Sequence, residues 1–194
     1  MGNIGAIILA AGGSSRFGQA KQLLSWEGES LVRRAVRSAT EAGCVSVTVV
    51  AGEARDGIEN ELRGTSAVIV ENPEWRRGLG TSIRCGLRHL LGSHPELDAV
   101  VLLVCDQPFV DANVIQSLTA QRENSRKPIV ACSYAGTLGV PALFDRACFE
   151  ALLALADDSG AKALIESRSA DVAQIEFEKG ALDIDTPGDF HSCL

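Results

Sequence analysis

Near its start the chain carries the stretch Ile7-Ile8-Leu9-Ala10-Ala11-Gly12-Gly13-Ser14-Ser15-Arg16-Phe17-Gly18-Gln19-Ala20-Lys21. Its first residues form a short, wholly apolar run with the length and β-branched content typical of a buried strand. Gly12 and Gly13 follow, and because they lack a Cβ the backbone can turn tightly and bring its N–H groups close to an anion. Arg16 and Lys21 add positive charge beside that turn. The stretch therefore predicts a strand that ends in a polyphosphate-binding loop.

Neither of two well-known phosphate motifs fits this stretch. A P-loop requires Gly-Lys followed by Ser or Thr, whereas Gly18 is followed by Gln19 and Ala20. The dinucleotide fingerprint requires G-x-G-x-x-G, which Gly12-Gly13 does not provide. A glycine-rich strand-to-helix connection with two incidental surface cations therefore remains an alternative interpretation.

Length and charge narrow the class of protein. The 194 residues suit one domain spanning 1–194. A net charge of −7 argues against long nucleic acid or an anionic membrane as a partner. The sequence has no apolar stretch near the ~20 residues of a membrane span, and its first residues lack the basic region of a signal peptide. We therefore expect a cytoplasmic protein.

The cysteines and histidines predict no metal centre of their own. The six cysteines contain no C-x-x-C pair, and the three histidines are scattered along the chain. In a cytoplasmic protein such cysteines are expected to be reduced core residues.

The hydrophobic pattern alternates between strands and helices. It predicts strands over residues 5–11, 45–51, 67–70, 99–105, 128–132, 172–175 and 182–185. It predicts helices over residues 30–42, 54–62, 81–91, 111–122 and 145–155, another ending near 168, and a terminal one from 186. Ser30 is expected to cap the first helix and Thr81 or Ser82 the third. This alternation indicates an α/β fold with a mostly parallel sheet.

Two carboxylates lie at predicted strand ends, where ligands of α/β sheets collect. Asp106 follows the most apolar strand, and Asp185 lies near the C-terminus with Asp183 as a competitor in the same run. Mg²⁺ commonly takes one or two protein carboxylates and completes its shell with phosphate and water. Asp106 and Asp185 are therefore the predicted Mg²⁺ ligands, although either could simply be a strand-end or helix-cap aspartate.

Together these motifs resemble those of the MobA-like nucleotidyltransferases, and they look closest to the branch of the molybdenum cofactor cytidylyltransferases. The resemblance spans nearly the whole chain in an ordered set of motifs: Leu9 to Gly18 with Lys21-Gln22-Leu23-Leu24; Asn72-Pro73-Glu74-Trp75 with Gly78-Leu79-Gly80-Thr81-Ser82; Asp106-Gln107-Pro108; Gly136 to Phe144; and Ile184-Asp185-Thr186-Pro187-Gly188-Asp189.

The resemblance implies a Rossmann-like, three-layer nucleotide-diphospho-sugar transferase fold and an enzyme that transfers CMP from CTP to the terminal phosphate of molybdopterin. It implies catalytic roles for Arg16, Lys21 and Asp106, and Mg²⁺ held by Asp106 and Asp185. Nucleotide binding is implied for Leu9, Ala10, Ala11, Gly12, Gly13, Ser14, Arg16, Lys21, Gly80 and Ser82. Leu-Ala-Gly-Gly marks relatives that use GTP, whereas Leu9-Ala10-Ala11-Gly12 looks like the cytidylyl type.

One departure concerns the acceptor. The cofactor enzymes commonly have Gly-His-Pro where this chain has Gly139-Val140-Pro141. A sugar- or alditol-phosphate nucleotidyltransferase of the same fold therefore stays open. So does a non-catalytic chaperone that hands molybdenum cofactor to an apo-molybdenum hydroxylase.

Overall fold

The computed structural model describes residues 2–13 and 20–184. Its strands are β1 (Ile4–Ala10), β2 (Ser25–Trp26), β3 (Glu29–Ser30), β4 (Ser46–Ala51), β5 (Val68–Glu71), β6 (Ala99–Val104), β7 (Ile129–Tyr134), β8 (Thr137–Asp145) and β9 (Val172–Glu176). Its helices are α1 (Leu31–Glu41), α2 (Arg55–Glu61), α3 (Leu79–Ser93), α4 (Ala112–Ser125), α5 (Phe149–Leu153) and α6 (Ala161–Ser167).

Seven strands form the main sheet in the order β5-β4-β1-β6-β8-β7-β9, and β2 pairs with β3 in a separate small hairpin. β1 pairs in parallel with β4 and with β6, and Leu9 lies opposite Val50 on one side and Val104 on the other. β8 is the antiparallel member and pairs with both β6 and β7. The predicted α/β class with a mostly parallel sheet is confirmed.

Both faces of the sheet are buried, which explains the continuous apolar runs of β1 and β6. Ala6 and Ile8 join a cluster with Val36 of α1 and Leu118 of α4 on one face. The alternate residues of β1 pack on the other face in a cluster that contains α3, α5 and α6 side chains: Ile7, Leu9, Ile83, Leu87, Phe149, Leu164 and Ile165. The result is a three-layer arrangement of helices, sheet and helices.

Helix starts follow sequence chemistry in two cases and backbone geometry in a third. The Ser30 hydroxyl accepts a hydrogen bond from the Arg33 N–H at 3.3 Å, as predicted. Asp111 caps α4 by accepting from the Val114 N–H at 3.0 Å. The prediction that Thr81 or Ser82 caps α3 is wrong, because α3 begins at Leu79 after Gly78, whose φ of 132° suits glycine.

The C-terminal segment differs from its predicted form. The predicted strand over 182–185 is wrong for residues 182–184, which have no regular secondary structure. The Ile184 N–H donates to the Asp106 carbonyl at 2.9 Å, so this segment is tied to the end of β6 without joining the sheet. The predicted terminal helix lies outside the described residues. Within the described ranges, no helix is long and apolar enough to cross a membrane.

The central packing generates a stability prediction for Leu102, which is fully buried in β6. We expect Leu102→Ala to lower the free energy of unfolding by about 3 kcal/mol, because it removes buried methyl groups and leaves a cavity. Leu182→Ala is the matched control: Leu182 is 44% exposed, so its loss should be below about 1 kcal/mol. Urea unfolding followed by circular dichroism measures both, and equal losses would contradict the packing described above.

Candidate functional site

A cleft of about 380 Å³ opens where the carboxyl ends of β1 and β6 meet the start of α3. Its walls come from four parts of the chain: the end of β1, the Lys21 turn, the loop before α3, and the end of β6. The lining residues are Leu9, Ala11, Gly12, Lys21, Gln22, Trp75, Arg76, Gly78, Leu79, Ser82, Val104, Cys105 and Asp106. This is the strand-end position that ligands of parallel α/β sheets occupy.

The glycine loop after β1 is held by a glutamine that the residue-level reasoning had not singled out. The buried Gln22 amide donates to the Ala10 carbonyl at 2.9 Å and to the Gly12 carbonyl at 2.7 Å. These two hydrogen bonds hold the backbone from Ala10 to Gly12 at the end of β1. The signal was present in sequence, since Gln22 belongs to the motif that begins at Lys21.

Trp75 is a second wall residue that sequence reasoning included only as part of a motif. A Cβ on Gly13 would lie 2.7 Å from Trp75 Cη2, and a Cβ on Gly52 would lie 2.9 Å from Trp75 Cγ. The indole therefore packs directly on two backbone segments that only glycine allows to come so close. On the ring itself, Arg76 Cζ lies 4.7 Å from the centroid, a cation–π distance.

The floor of the cleft is a direct ion pair. Lys21 Nζ lies 2.6 Å from Asp106 Oδ2, and the two side chains are 16% and 19% exposed. The parallel register of β1 and β6 makes this pairing possible across 85 positions of sequence. The sequence predicted both residues in the site, Lys21 at the triphosphate and Asp106 at the metal. The structure adds that they contact each other.

Cys105, the thiol beside Asp106, is not suited to nucleophilic chemistry. It lines the cleft but is only 4% exposed. Burial, the largest cause, raises the pKa of the Cys105 thiol far above its ordinary value, and the neighbouring Asp106 carboxylate adds to the rise. The thiol therefore stays protonated at neutral pH.

The wall formed by the start of α3 is fixed by a buried asparagine. The Asn72 amide donates to Thr81 Oγ1 at 2.8 Å and to Ser82 Oγ at 2.9 Å. Its Oδ1 accepts from the Glu74 N–H at 3.1 Å. Asn72, just after β5, thus ties the strand end to the first turn of α3 and connects the Asn72-Pro73-Glu74-Trp75 segment to Thr81 and Ser82.

The residues with a predicted nucleotide, catalytic or metal role do not all face the cleft. Leu9, Ala11, Gly12, Lys21, Ser82 and Asp106 line it. Gly80 instead packs against the 156–159 backbone, where an added Cβ would overlap the Ala156 carbonyl oxygen. The Ala10 carbonyl accepts a hydrogen bond from Gln22, and Gly13 packs against the Trp75 ring. Ser14, Arg16 and Asp185 lie outside the described residues.

A second pocket of about 210 Å³ adjoins the cleft and shares Leu9, Leu79 and Val104 with it. Its other lining residues are Tyr134, Thr137, Leu138, Gly139, Val140, Gly160, Ala161 and Lys162. The Val140 carbonyl accepts from Tyr134 Oη at 2.9 Å and from Gln107 Nε2 at 3.3 Å. Burial is the largest cause that raises the pKa of Tyr134 above its ordinary value, so its hydroxyl remains a donor at neutral pH.

The donor set at Asp106 fits a hard cation. Its carboxylate already holds the Lys21 ammonium group at 2.6 Å, which shows that a positive charge can be accommodated at this oxygen. Residues 2–13 and 20–184 contain no group of three or more His, Cys, Asp or Glu that could hold a metal by themselves. This matches a metal that takes most of its ligands from phosphate and water.

Fold and cleft together are those of a nucleotidyltransferase, with a glycine turn beside a charged pair at the strand ends. The chain belongs to the family described as "MobA-like NTP transferase domain", whose model matches residues 6–172. Among curated relatives, it is 25% identical over 191 residues to molybdenum cofactor cytidylyltransferase of Escherichia coli, covering 98% of this chain and 95% of that protein. It is 28% identical over 198 residues to the purine catabolism protein PucB of Bacillus subtilis, covering 95% and 92%.

Solved structures agree with this assignment. Rv0371c from Mycobacterium tuberculosis has a TM-score of 0.82 with 30% sequence identity, covering 98% of this chain and 97% of that one. A structure of the same protein in complex with manganese has a TM-score of 0.78 with 28% identity, covering 99% and 98%. The expected nucleotide-diphospho-sugar transferase fold is thereby confirmed, and divalent metal use is consistent with it.

The packing of Gly80 generates a prediction. We expect Gly80→Ala to lower the free energy of unfolding by about 2 kcal/mol or more, because the new methyl group would overlap a backbone carbonyl that cannot rotate away. Gly92→Ala, in the same helix, is the control: nothing lies within 4 Å of its added Cβ, so it should be neutral or stabilising by up to about 1 kcal/mol. Thermal and urea unfolding measure the free energy of unfolding of both variants. Equal losses in the two variants would contradict this packing.

Proposed function

We propose that the protein transfers CMP from CTP to the terminal phosphate of molybdopterin, with release of pyrophosphate. The observation that carries the proposal is the Lys21–Asp106 pair at 2.6 Å beside the Gly12 backbone held by Gln22, in a cleft that adjoins a second pocket. The cleft would take the donor nucleotide and the second pocket the acceptor. Leu9, Leu79 and Val104, shared by both, would lie at the point of transfer.

The proposed reaction needs no side chain to act as a general acid or base. An acceptor phosphate monoester is already ionised near neutral pH, so its oxygen attacks the α-phosphorus of the donor as the bond to pyrophosphate breaks. Catalysis then depends on positioning and on neutralising charge. This agrees with a cleft whose cysteine is a buried, protonated thiol.

In this proposal Lys21 exchanges its partner during donor binding. Its ammonium group moves from the Asp106 carboxylate to the triphosphate, and Arg16 adds a second positive charge there. Asp106 and Asp185 would then hold a divalent metal, with Asp183 the alternative to Asp185. When bound, Mg²⁺ or Mn²⁺ would supply Lewis-acid stabilisation of the α-phosphate and of the leaving pyrophosphate. The Gln22-bound glycine turn would hold phosphate oxygens with its N–H groups.

Two features bear on substrate identity. The Leu9-Ala10-Ala11-Gly12 run supports CTP as donor, and the cytidylyltransferase relative supports molybdopterin as acceptor. Val140 lines the acceptor pocket where the cofactor enzymes commonly have histidine. Hydrogen bonding to the acceptor would therefore fall to Thr137, which lines the same pocket, since the Tyr134 hydroxyl already donates to the Val140 carbonyl.

A panel of four nucleoside triphosphates against molybdopterin, a sugar phosphate and an alditol phosphate tests the function through pyrophosphate release. We expect turnover with CTP and molybdopterin that stops on treatment with EDTA and returns with Mg²⁺ or Mn²⁺. Turnover only with a sugar or alditol phosphate would show that this phosphate, and not molybdopterin, is the acceptor. Stoichiometric binding of molybdopterin without release of pyrophosphate would indicate a cofactor chaperone.

Lys21→Ala tests the charge at the cleft floor. We expect kcat to fall about 100-fold or more, because the variant removes a charge-assisted contact to the transferring phosphate. The fold should be retained, since the side chain lies at the cleft surface. Lys127→Ala is the control: Lys127 is exposed and donates to the Ala170 carbonyl, away from the cleft. Turnover of Lys21→Ala within a few-fold of the unsubstituted protein would remove Lys21 from the mechanism.

Val140→His tests the division between the two pockets. Since Val140 lines the second pocket and not the cleft, the KM for CTP should stay nearly unchanged. Any effect should appear in the KM for the acceptor, with an improvement if the acceptor is molybdopterin, because histidine can donate a hydrogen bond and carry charge. Val68→His, on an exposed position of the edge strand β5, controls for the substitution itself. A large rise in the KM for CTP would place Val140 in the donor site.

A further inference from the structure

The segment between α5 and α6, residues 154–160, leads into one wall of the second pocket. Gly160 ends this segment, Ala161 and Lys162 follow it, and all three line the pocket. Every residue of 154–160 is exposed or half-buried. Leu155 packs against the core at the α5 end of the segment, so the position of residues 156–160 depends on other contacts.

Those contacts are made with the start of α3. The Gly80 N–H donates to the Asp157 carbonyl at 2.9 Å. Added Cβ atoms on Gly78 and Gly80 would overlap the Asp157 and Ala156 carbonyl oxygens. The two backbones are thus in direct contact, with a single hydrogen bond between them at this point.

Two arginines complete the connection through the Asp157 side chain. Arg84 of α3 donates to Asp157 Oδ1 and to the Leu155 carbonyl. Arg77 Nη2 lies 2.5 Å from Asp157 Oδ2. The hydrogen bond from Arg84 is the largest cause that holds the pKa of Asp157 below its ordinary value, so the carboxylate is charged at neutral pH.

Of the two joined elements, α3 is the one whose position is fixed by the core. The α3 side chains Ile83, Leu87 and Leu90 are fully buried on the sheet, which fixes the helix and the cleft wall it provides. Loss of the Asp157 side-chain contacts would therefore act on the segment and the second pocket more than on α3 and the cleft wall it provides.

We infer that Asp157 is a positioning residue that holds segment 154–160 against α3 and so sets the distance between an acceptor in the second pocket and a nucleotide in the cleft. The inference rests on the proposed function and goes beyond it, because Asp157 lines neither pocket among the described residues. Its effect should be on transfer between bound substrates and not on binding of the donor.

Asp157→Asn is the first test, because it keeps the side-chain shape and removes the charge. We expect kcat to fall about 10- to 100-fold, since a displacement near 1 Å can cost about that much in a positioned reaction. The Kd for CTP, measured by calorimetry without acceptor, should stay within about 2-fold. Glu41→Gln breaks a surface ion pair with Arg37 far from both pockets and should change neither value.

Arg77→Gln provides a second variant whose folding is not at risk, since the Arg77 side chain is 57% exposed. It should lower kcat in the same direction by a smaller factor, because Arg84 still holds the carboxylate. The double variant should have the same kcat as Asp157→Asn alone, because both substitutions break the same Arg77–Asp157 ion pair.

The outcomes separate this inference from the proposed function. Absence of transfer by the unsubstituted protein would overturn the proposed function. Normal transfer with an unchanged kcat in Asp157→Asn would overturn only the positioning role. A Kd for CTP that weakens in parallel with kcat would also overturn it, because Asp157 would then act on the donor cleft. Multiplicative losses in the double variant would show that the two residues act separately, against the single connection proposed.

Discussion

The parallel pairing of β1 with β6 is the constraint on which the site depends. With Leu9 opposite Val104, the turn after β1 and the Asp106 carboxylate after β6 leave the sheet side by side. Only then can Lys21 contact Asp106 at 2.6 Å, although 85 positions separate them in sequence. A shift of one residue in this register would move every side chain of β1 to the opposite face of the sheet. Because both faces are buried, such a shift is strongly disfavoured, and the core thereby fixes the site.

Close approach of backbones shapes the walls around this floor. Gly13 and Gly52 let two chain segments contact the ring of Trp75, and Gly78 and Gly80 let α3 contact residues 156–159. Buried amides then hold the contacts in place: Gln22 on the glycine turn and Asn72 on the first turn of α3. The glycines of the motifs thus allow neighbouring loops to pack closely, in addition to the anion approach proposed for the turn after β1.

Charge is distributed so that a protein with a net charge of −7 can still receive an anionic ligand. Lys21 and Arg76 line the cleft, and Lys162 lines the neighbouring pocket. Within the described residues, Asp106 is the acidic residue that lines the cleft, and its charge is balanced by Lys21. Local placement of cations therefore offsets the repulsion of the mean field.

The sequence by itself determined the α/β class, the strand that ends at the glycines and the cap at Ser30, because these follow from local periodicity and side-chain chemistry, and it placed Lys21 and Asp106 in one site. It did not determine the start of α3, where backbone packing at Gly78 decides, nor the form of residues 182–184, which a hydrogen bond to Asp106 holds outside the sheet. Only the tertiary structure decided that Gly80 is a packing glycine, that Val140 lies in a second pocket and that Asp157 contacts Arg84 of α3. Those facts depend on contacts between segments far apart in the chain, for which neither spacing nor composition carries a signal.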